Sequence, residues 1–239
     1  MELVGPNKLD ILDHGYVKFI EHWGSDERII EAARMSTDGG FVSWDPYEGH
    51  PKGDQGLLNY LYRNKHSTPF EMAGLVIEVQ APIFIFRQWH RHRTQSYNEM
   101  SGRYTPIPDF NYRPSVGRCI VVDGKNKQSR TASGRTPTHE EVLDWLENYL
   151  DVAYASAQRA YDKGLEIGIP KELARLPVNV ARYSRMRASA NLRNWLAFLT
   201  LRMDSHAQIE IQDFAKAVGS YIKQLYPRTW ELFVEGANK

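Results

Sequence analysis

The chain has a single cysteine, Cys119, among its 239 residues. That excludes an intrachain disulfide framework and any zinc cluster built from several thiolates. Glycine loops that cradle phosphates are missing too. Neither G-x-x-x-x-G-K-[ST] nor a G-x-G-x-x-G after a strand occurs, so a bound dinucleotide would depend on arginines and helix ends. No apolar stretch approaches membrane-spanning length, and the opening segment MELVGPNKLDILDHGY has no basic-then-apolar pattern. Residence in the cytoplasm is the default expectation. Charge of one sign is scarce: 30 Lys and Arg against 29 Asp and Glu leave +1, which argues against coating nucleic acid by bulk electrostatics.

The rest is ordinary globular material, 42% hydrophobic and 25% charged, enough to bury the core of one large domain. The small net charge hides an asymmetry. Lys171 to Arg202 holds seven basic residues (Lys171, Arg175, Arg182, Arg185, Arg187, Arg193, Arg202) against Glu172 alone. Arg87 to Arg103 holds four arginines and two histidines against Glu99. Arginine dominates both zones, which favours planar recognition of phosphate or carboxylate in a pocket for small anions.

Along the chain, GYVKFIEHW reads as a strand, and Ser25 caps a helix through DERIIEAARM. DQGLLNYLYRNKH reads as a second helix. The apolar run GLVIEVQAPIFIFRQW reads as strand, with Pro82 marking an edge position or a bulge. Residues 105–136 are rich in Pro, Gly, Ser and basic side chains and read as a surface excursion, with a small hairpin at Asp123-Gly124. A capping box at Thr138 opens a long helix whose stripe is Val142, Leu146, Leu150, Ala153, Ala157 and Ala160. PKELARL, NLRNWLAFLTLRM and a long final helix capped near Asp204 or Ser205 follow, with NVARYSRMRASA as a strand between the first two. The mixture is α+β, its strands too irregularly spaced among helices for a doubly wound sheet.

Ser101-Gly102-Arg103 offers a hydroxyl, an unhindered backbone N–H and a guanidinium, the set a phosphate monoester requires. Alone it equally describes a solvated turn. Gln88 and Arg91, read at the end of the preceding strand, and Arg175 from the second zone would make it a site by converging on it. His90 and His92 would share one side of a strand and could hold a metal, yet the bracketing arginines oppose a divalent cation, so no metal is expected. Asp204-Ser205-His206 reads as helix capping rather than a hydrolytic triad.

Arg91-His92-Arg93, then seven residues, then Ser101, resembles the signature of the flavin-dependent thymidylate synthases. HSTPFE from His66 to Glu71, APIFIFRQWHRHR, NEMSGRY, PKELAR, NLRN and LRMDSHAQIEIQ are similar to segments of that family, in the same order. The resemblance implies reductive methylation of dUMP to dTMP, with methylene-tetrahydrofolate giving the carbon and leaving as tetrahydrofolate, and with FAD reduced by NADPH. It implies a homotetramer with active sites shared between subunits. Nucleotide contacts would fall to Gln88, Arg91, Glu99, Ser101, Gly102, Arg103 and Arg175, with Arg202 facing and activating the uracil ring. Flavin contacts would fall to Ser36, Thr68, Arg91, His92, Arg93, Glu99, Asn191, Arg193 and His206. His66 would stand near the folate and nicotinamide entrance. Ala197 departs from the family, which often has a flavin-contacting Asn there.

The fold so implied is a single α+β domain over residues 1–239, a mostly antiparallel sheet packed by helices, with a non-Rossmann flavin site. Cys119 lies in the segment least like the family, so no cysteine nucleophile is expected. Surplus apolar surface on NLRNWLAFLTLRM is expected at subunit interfaces. Two other readings stand beside this one. An RNA-binding module would use Trp89, Tyr97, Tyr104 and Tyr183 interleaved with arginines. A flavoprotein reductase with another substrate would leave the phosphate cradle idle.

Overall fold

A computed structural model of the chain describes residues 5–120, 131 and 134–237. Strands β1 (Lys8–Ile11), β2 (Gly15–Trp23), β3 (Gly74–Pro82), β4 (Ser96–Glu99) and β5 (Tyr183–Asn191) form one sheet in the order β1-β2-β3-β5-β4. Every neighbouring pair is antiparallel. Period-two alternation sorts the two faces. Leu75, Ile77, Val79 and Ala81 of β3 and Met186, Ala188 and Ala190 of β5 are buried. Glu78, Gln80, Arg185 and Arg187 point the other way, and Arg187 lies 3.7 Å from Glu78.

Helices α1 (Asp26–Arg34), α2 (Gly53–Arg63), α3 (Ile83–Trp89) and α4 (Val116–Ile120) precede the capping-box helix. That helix runs as α5 (His139–Trp145), a π turn over Leu146–Leu150, and α6 (Asp151–Glu166). Then come α7 (Lys171–Ala174), α8 (Leu192–Arg202), α9 (Ile209–Leu225) and α10 (Pro227–Ala237). Helices α3, α8 and α9 lie against the apolar face of the sheet. Trp89 centres that packing, with its ring 4.5 Å from Phe198 and edge-on to Trp195 and Phe214.

Several expectations change. Pro82 sits in a central strand, not at an edge, because it is the last residue of β3. It can donate no further ladder bond, and IFIFRQW turns into α3 rather than continuing as strand. The final long helix is not capped by Asp204 or Ser205: Gln208 stands at its N-cap, and α10 follows it. Most of the apolar surface of α8 is buried within the chain by Trp195, Leu196, Phe198 and Leu199, which leaves Leu201 exposed. The expected hairpin at Asp123-Gly124 lies outside the described residues.

The stripe on the capping-box helix holds for Val142 and Leu146, keeps Leu150 and Ala157 half-buried, and shifts its inward centre by one position beyond the π turn. The inward residues are Tyr154, Gln158 and Tyr161, while Ala153 and Ala160 are exposed. A π turn adds one residue to a turn, so each later position must move one place along the chain to keep the same face.

The N-terminus of α10 is capped from the opposite end of the sequence. The buried carboxylate of Asp26 accepts from the backbone N–H groups of Arg228 (2.9 Å) and Thr229 (3.3 Å) and from the Thr229 hydroxyl (2.6 Å). Removing it strands buried donors and an uncapped helix end. Asp26→Ala is expected to cost about 2–3 kcal/mol, with Asp26→Asn losing less because it keeps an acceptor. Urea unfolding of the three proteins checks the order, and equal midpoints would dismiss the cap.

Candidate active site

One face of α8 reads the segment that leaves α3. Asn191 caps α8 by accepting from Asn194 N–H at 3.0 Å. One turn inside, the Asn194 side-chain amide donates to Thr94 O at 3.0 Å. A turn further, Phe198 meets the His92 ring edge-on at 4.9 Å. At the last turn Arg202 donates from Nε to His92 Nε2 (2.9 Å) and from Nη2 to Gln88 O (3.0 Å). The spacing of four that places residues on one helix face makes this line. Gln88 in turn donates its side-chain amide to Gln208 at 2.6 Å.

His90, Arg91 and His92 therefore do not alternate on a strand, as expected from the sequence. They lie in the turn that follows α3. His90 stacks on Phe86 and stands edge-on to Tyr97, while His92 serves Arg202. Asp204 binds His206, through its backbone N–H at 2.7 Å and ring Nδ1 at 2.8 Å, rather than Arg202. Burial, and then Arg202 beside it, lowers the His92 pKa to about 4. Its ring is neutral near neutral pH, with Nε2 as the acceptor.

The second cluster forms at the other end of β4. Met100 N–H donates to Arg185 O at 2.7 Å, and Ser101 O accepts from Tyr104 and Thr105 N–H. This turn closes against α7. Arg103 Nε lies 3.1 Å from Glu172, Lys171 donates to Tyr104 O at 3.1 Å, and a Cβ on Gly102 would come 3.5 Å from Arg175 Cδ. It would also press on Ile107 at 2.7 Å, so glycine suits that buried position. Arg175 thus comes to Ser101, Gly102 and Arg103, whereas Gln88 and Arg91, expected to converge there too, lie before β4 with Gln88 bound to Arg202 and Gln208. Lys171 adds a third cation, and Glu172 is the carboxylate that pairs with Arg103. Neighbouring Glu99 accepts from the buried Ser184 hydroxyl at 2.7 Å.

A third region holds Thr68, expected at the flavin, and His66, expected at the folate entrance. Thr68 and His66 line a cavity of about 580 Å³ floored by Ala32, Ala33, Leu61 and Met72. Arg193 forms an ion pair with Glu71, the last residue of the HSTPFE segment. Ala197 is exposed one turn after Arg193, on the same outer face of α8. Ser36 is exposed after α1 and donates to Ala33 O at 3.2 Å, and Arg91 and Arg93 are exposed.

Sequence reasoning had overlooked Glu71, Lys171, Glu172 and Gln208. All four stand inside the segments similar to the family, but nothing in their residue type marks them as partners of the site residues. Two residues of the basic zone take other places, although Arg185 lines a cavity of about 340 Å³ together with Glu99 and Met100. Arg182 is fully buried, with Asn111, Pro108 O and Gln158 as acceptors, and Arg185 belongs to the open sheet face. Trp89 and Tyr183 are buried, which removes two platforms from the RNA-binding reading. Cys119 is half-buried, and burial pushes its thiol up despite Arg118 and Arg113 nearby. Among the described residues no group of three or more His, Cys, Asp or Glu could hold a metal ion, and no helix is long and apolar enough to cross a membrane.

Comparison with known proteins follows this geometry. Residues 18–228 match the Thy1 family model, described as thymidylate synthase complementing protein. The flavin-dependent thymidylate synthase of Thermosipho africanus is 35% identical over 229 residues, 96% of this chain and 95% of the relative. That of Thermus thermophilus is 35% identical over 231 residues, 97% and 80% of the two chains. A crystal structure of the UMP/dUMP methylase PolB from Streptomyces cacaoi, bound with 5-Br dUMP, superposes with a TM-score of 0.80 at 31% identity, covering 95% of this chain and 97% of that one.

The depressed His92 pKa fixes a pH dependence. Below 6.5 the unfolded chain takes up a proton that the folded chain refuses until about pH 4. Stability contributed by the neutral ring is thus present above 6.5 and lost as pH falls toward 4. His92→Gln, which cannot titrate, should flatten that limb of the curve of urea midpoint against pH. Identical limbs in both proteins would contradict the assignment.

Proposed function

The chain belongs to the Thy1 family, an enzyme of the flavin-dependent thymidylate synthase kind, and we propose that it converts dUMP to dTMP by reductive methylation. Methylene-tetrahydrofolate supplies the carbon, which becomes the methyl group on C5 of the uracil, and tetrahydrofolate leaves. FAD, when bound and reduced by NADPH, supplies the reducing equivalents. The observation that carries this reading is the pair of clusters at the two ends of β4: a cationic turn shaped for a phosphate, and a guanidinium held by neutral acceptors alone.

Ser101, Gly102, Arg103 and Arg175 take the phosphate, with Lys171 adding charge. Gln88, Arg91 and Glu99 contact the rest of the nucleotide, and the Ser184 hydroxyl turns the Glu99 carboxylate toward its task. Arg202 faces the uracil. Its protein partners are an imidazole nitrogen and a carbonyl, so its positive charge is not cancelled by a carboxylate. That charge opposes the negative charge that develops on N3 and the flanking carbonyl oxygens as C5 is activated.

The residues present fit FAD. Arg193 supplies a cation, Thr68 and Ser36 supply hydroxyls, and the cavity beside His66 has an apolar floor with a polar rim. Asn191, His206, Arg91, His92, Arg93 and Glu99 complete the flavin set, and His66 guards the side from which folate and nicotinamide enter. Ala197 offers a methyl where a donor would strengthen the hold.

The assembly in this reading is a cytoplasmic homotetramer with shared sites. Two observations favour sharing. The four residues of β4, about 13 Å of extended chain, stand between the phosphate turn and the Arg202 cluster. Around the turn, Ile167, Leu173 and Leu176 are 61%, 52% and 76% exposed, apolar side chains that a second subunit would cover.

Purified protein given FAD, NADPH, methylene-tetrahydrofolate and dUMP should form dTMP; failure to form dTMP or to bind FAD would end this reading. Arg202→Lys keeps a charge but loses the planar fork. It should retain FAD and dUMP while turnover falls about a hundredfold. Near-normal turnover in that variant would remove Arg202 from uracil activation. Cys119→Ala should keep most activity, since the thiol is held protonated by burial. Loss of dTMP formation in a folded, flavin-loaded Cys119→Ala protein would restore a thiolate mechanism.

A further inference from the structure

We propose that His92 is a positioning residue that aims Arg202, fixing which edge of its guanidinium is offered to substrate. A guanidinium carries five N–H donors in one plane. The protein takes the side edge: Nε donates to His92 Nε2 at 2.9 Å and Nη2 to Gln88 O at 3.0 Å. What remains is the end edge, Nη1 with the second hydrogen of Nη2. Those two parallel donors match a planar pair of acceptors such as the N3 and carbonyl oxygen edge of a uracil that is gaining charge.

His92 is itself fixed before any ligand arrives. Its ring is wedged by Phe198 at 4.9 Å, and its carbonyl accepts from the Tyr97 hydroxyl at 2.8 Å. Gln88, which offers the other acceptor, is tied by its amide to Gln208 at 2.6 Å. The chemistry of the tether matters as much as its place. A carboxylate in the position of His92 would orient Arg202 equally well, yet it would neutralise the charge that substrate needs. A neutral imidazole orients without neutralising. Burial, and then Arg91 nearby, lowers the Arg202 pKa, so a protonated ring would add a third cation there, and the tether would be lost.

This inference rests on the reading that Arg202 faces the uracil, and the test separates the two. With FAD held saturating, His92→Leu should bind deoxyribose 5-phosphate as the parent does, while dTMP turnover falls roughly ten- to a hundredfold. His92→Gln, a neutral acceptor, should recover much of the loss. His92→Glu, a charged acceptor, should not. Combined with Arg202→Lys, the leucine substitution should add little, because its effect runs through a fork already gone.

A double variant whose losses multiply, or a loss explained wholly by weakened FAD, would overturn the proposal. A crystal structure of ligand-free His92→Leu reads it apart from any activity. The guanidinium should leave Gln88 O; if it stays with its end edge outward, the proposal fails whatever the chain catalyses. If it moves while the parent makes no dTMP, the tether stands and the reading of Arg202's substrate falls.

Discussion

A cation with no access to water holds the site end of the molecule together. Arg182, at the threshold of β5, donates to Asn111, Pro108 O and Gln158, and Asp109 lies 3.3 Å away. A buried charge left without such partners would cost several kcal/mol, so the chain from 108 to 111 and the middle of α6 must both come to it. The backbone completes the bond: Tyr183 N–H donates to Phe110 O, and Tyr112 N–H to Ala181 O. Ile107, brought in by this folding, donates its N–H to the Tyr161 hydroxyl oxygen and closes over Gly102. The shape of the turn after β4 is a consequence of where one arginine had to be satisfied.

Arg182 and Arg202 show two uses of the same side chain. The first has its donors saturated by protein acceptors and is structural. The second is only partly satisfied, at the end of a helix whose other turns grip the same segment through Asn194 and Phe198. Arg103 and Arg175 are a third case, both exposed: Arg103 pairs with the Glu172 carboxylate, where water screens the pairing, and Arg175 donates to the Glu172 backbone carbonyl at 3.4 Å. Counting arginines reveals a cationic zone; the acceptors around each one reveal what it is for.

Elements with a strong local signal were legible in the sequence. The Ser25 cap, the alternation of GYVKFIEHW and the Thr138 box all appear where composition places them. Strand β4 was not legible, because Ser-Tyr-Asn-Glu is short, polar and defined only by its partner β5. IFIFRQW misled for the opposite reason. Its β-branched and aromatic content suits a strand, but burial in a tight core serves either geometry, and Pro82 closes the ladder. At the candidate site, the Ser101-Gly102-Arg103 cradle could be named from its chemistry, and the flavin-side residues only from the family resemblance. Their partners Glu71, Glu172 and Gln208 could not, since each arrives from a segment whose approach only the fold determines. The described part of the excursion is also less detached than its composition suggests, because Arg118 pairs with the buried Glu210 on α9.

The π turn at Leu146–Leu150 carries a record of chain length. Val142 and Tyr161 are 19 positions apart, one more than five α-helical turns span, yet both are buried. The surplus residue is absorbed locally, so the capping box ahead of it and the Arg182 contacts behind it keep their bearings. A one-residue shortening inside this turn would close it into ordinary helix with neither face displaced. The same shortening a few residues to either side would rotate Gln158 and Tyr161 away from the groups they satisfy. Tolerance of length variation in this helix is therefore concentrated at a single seam, set by geometry rather than by exposure.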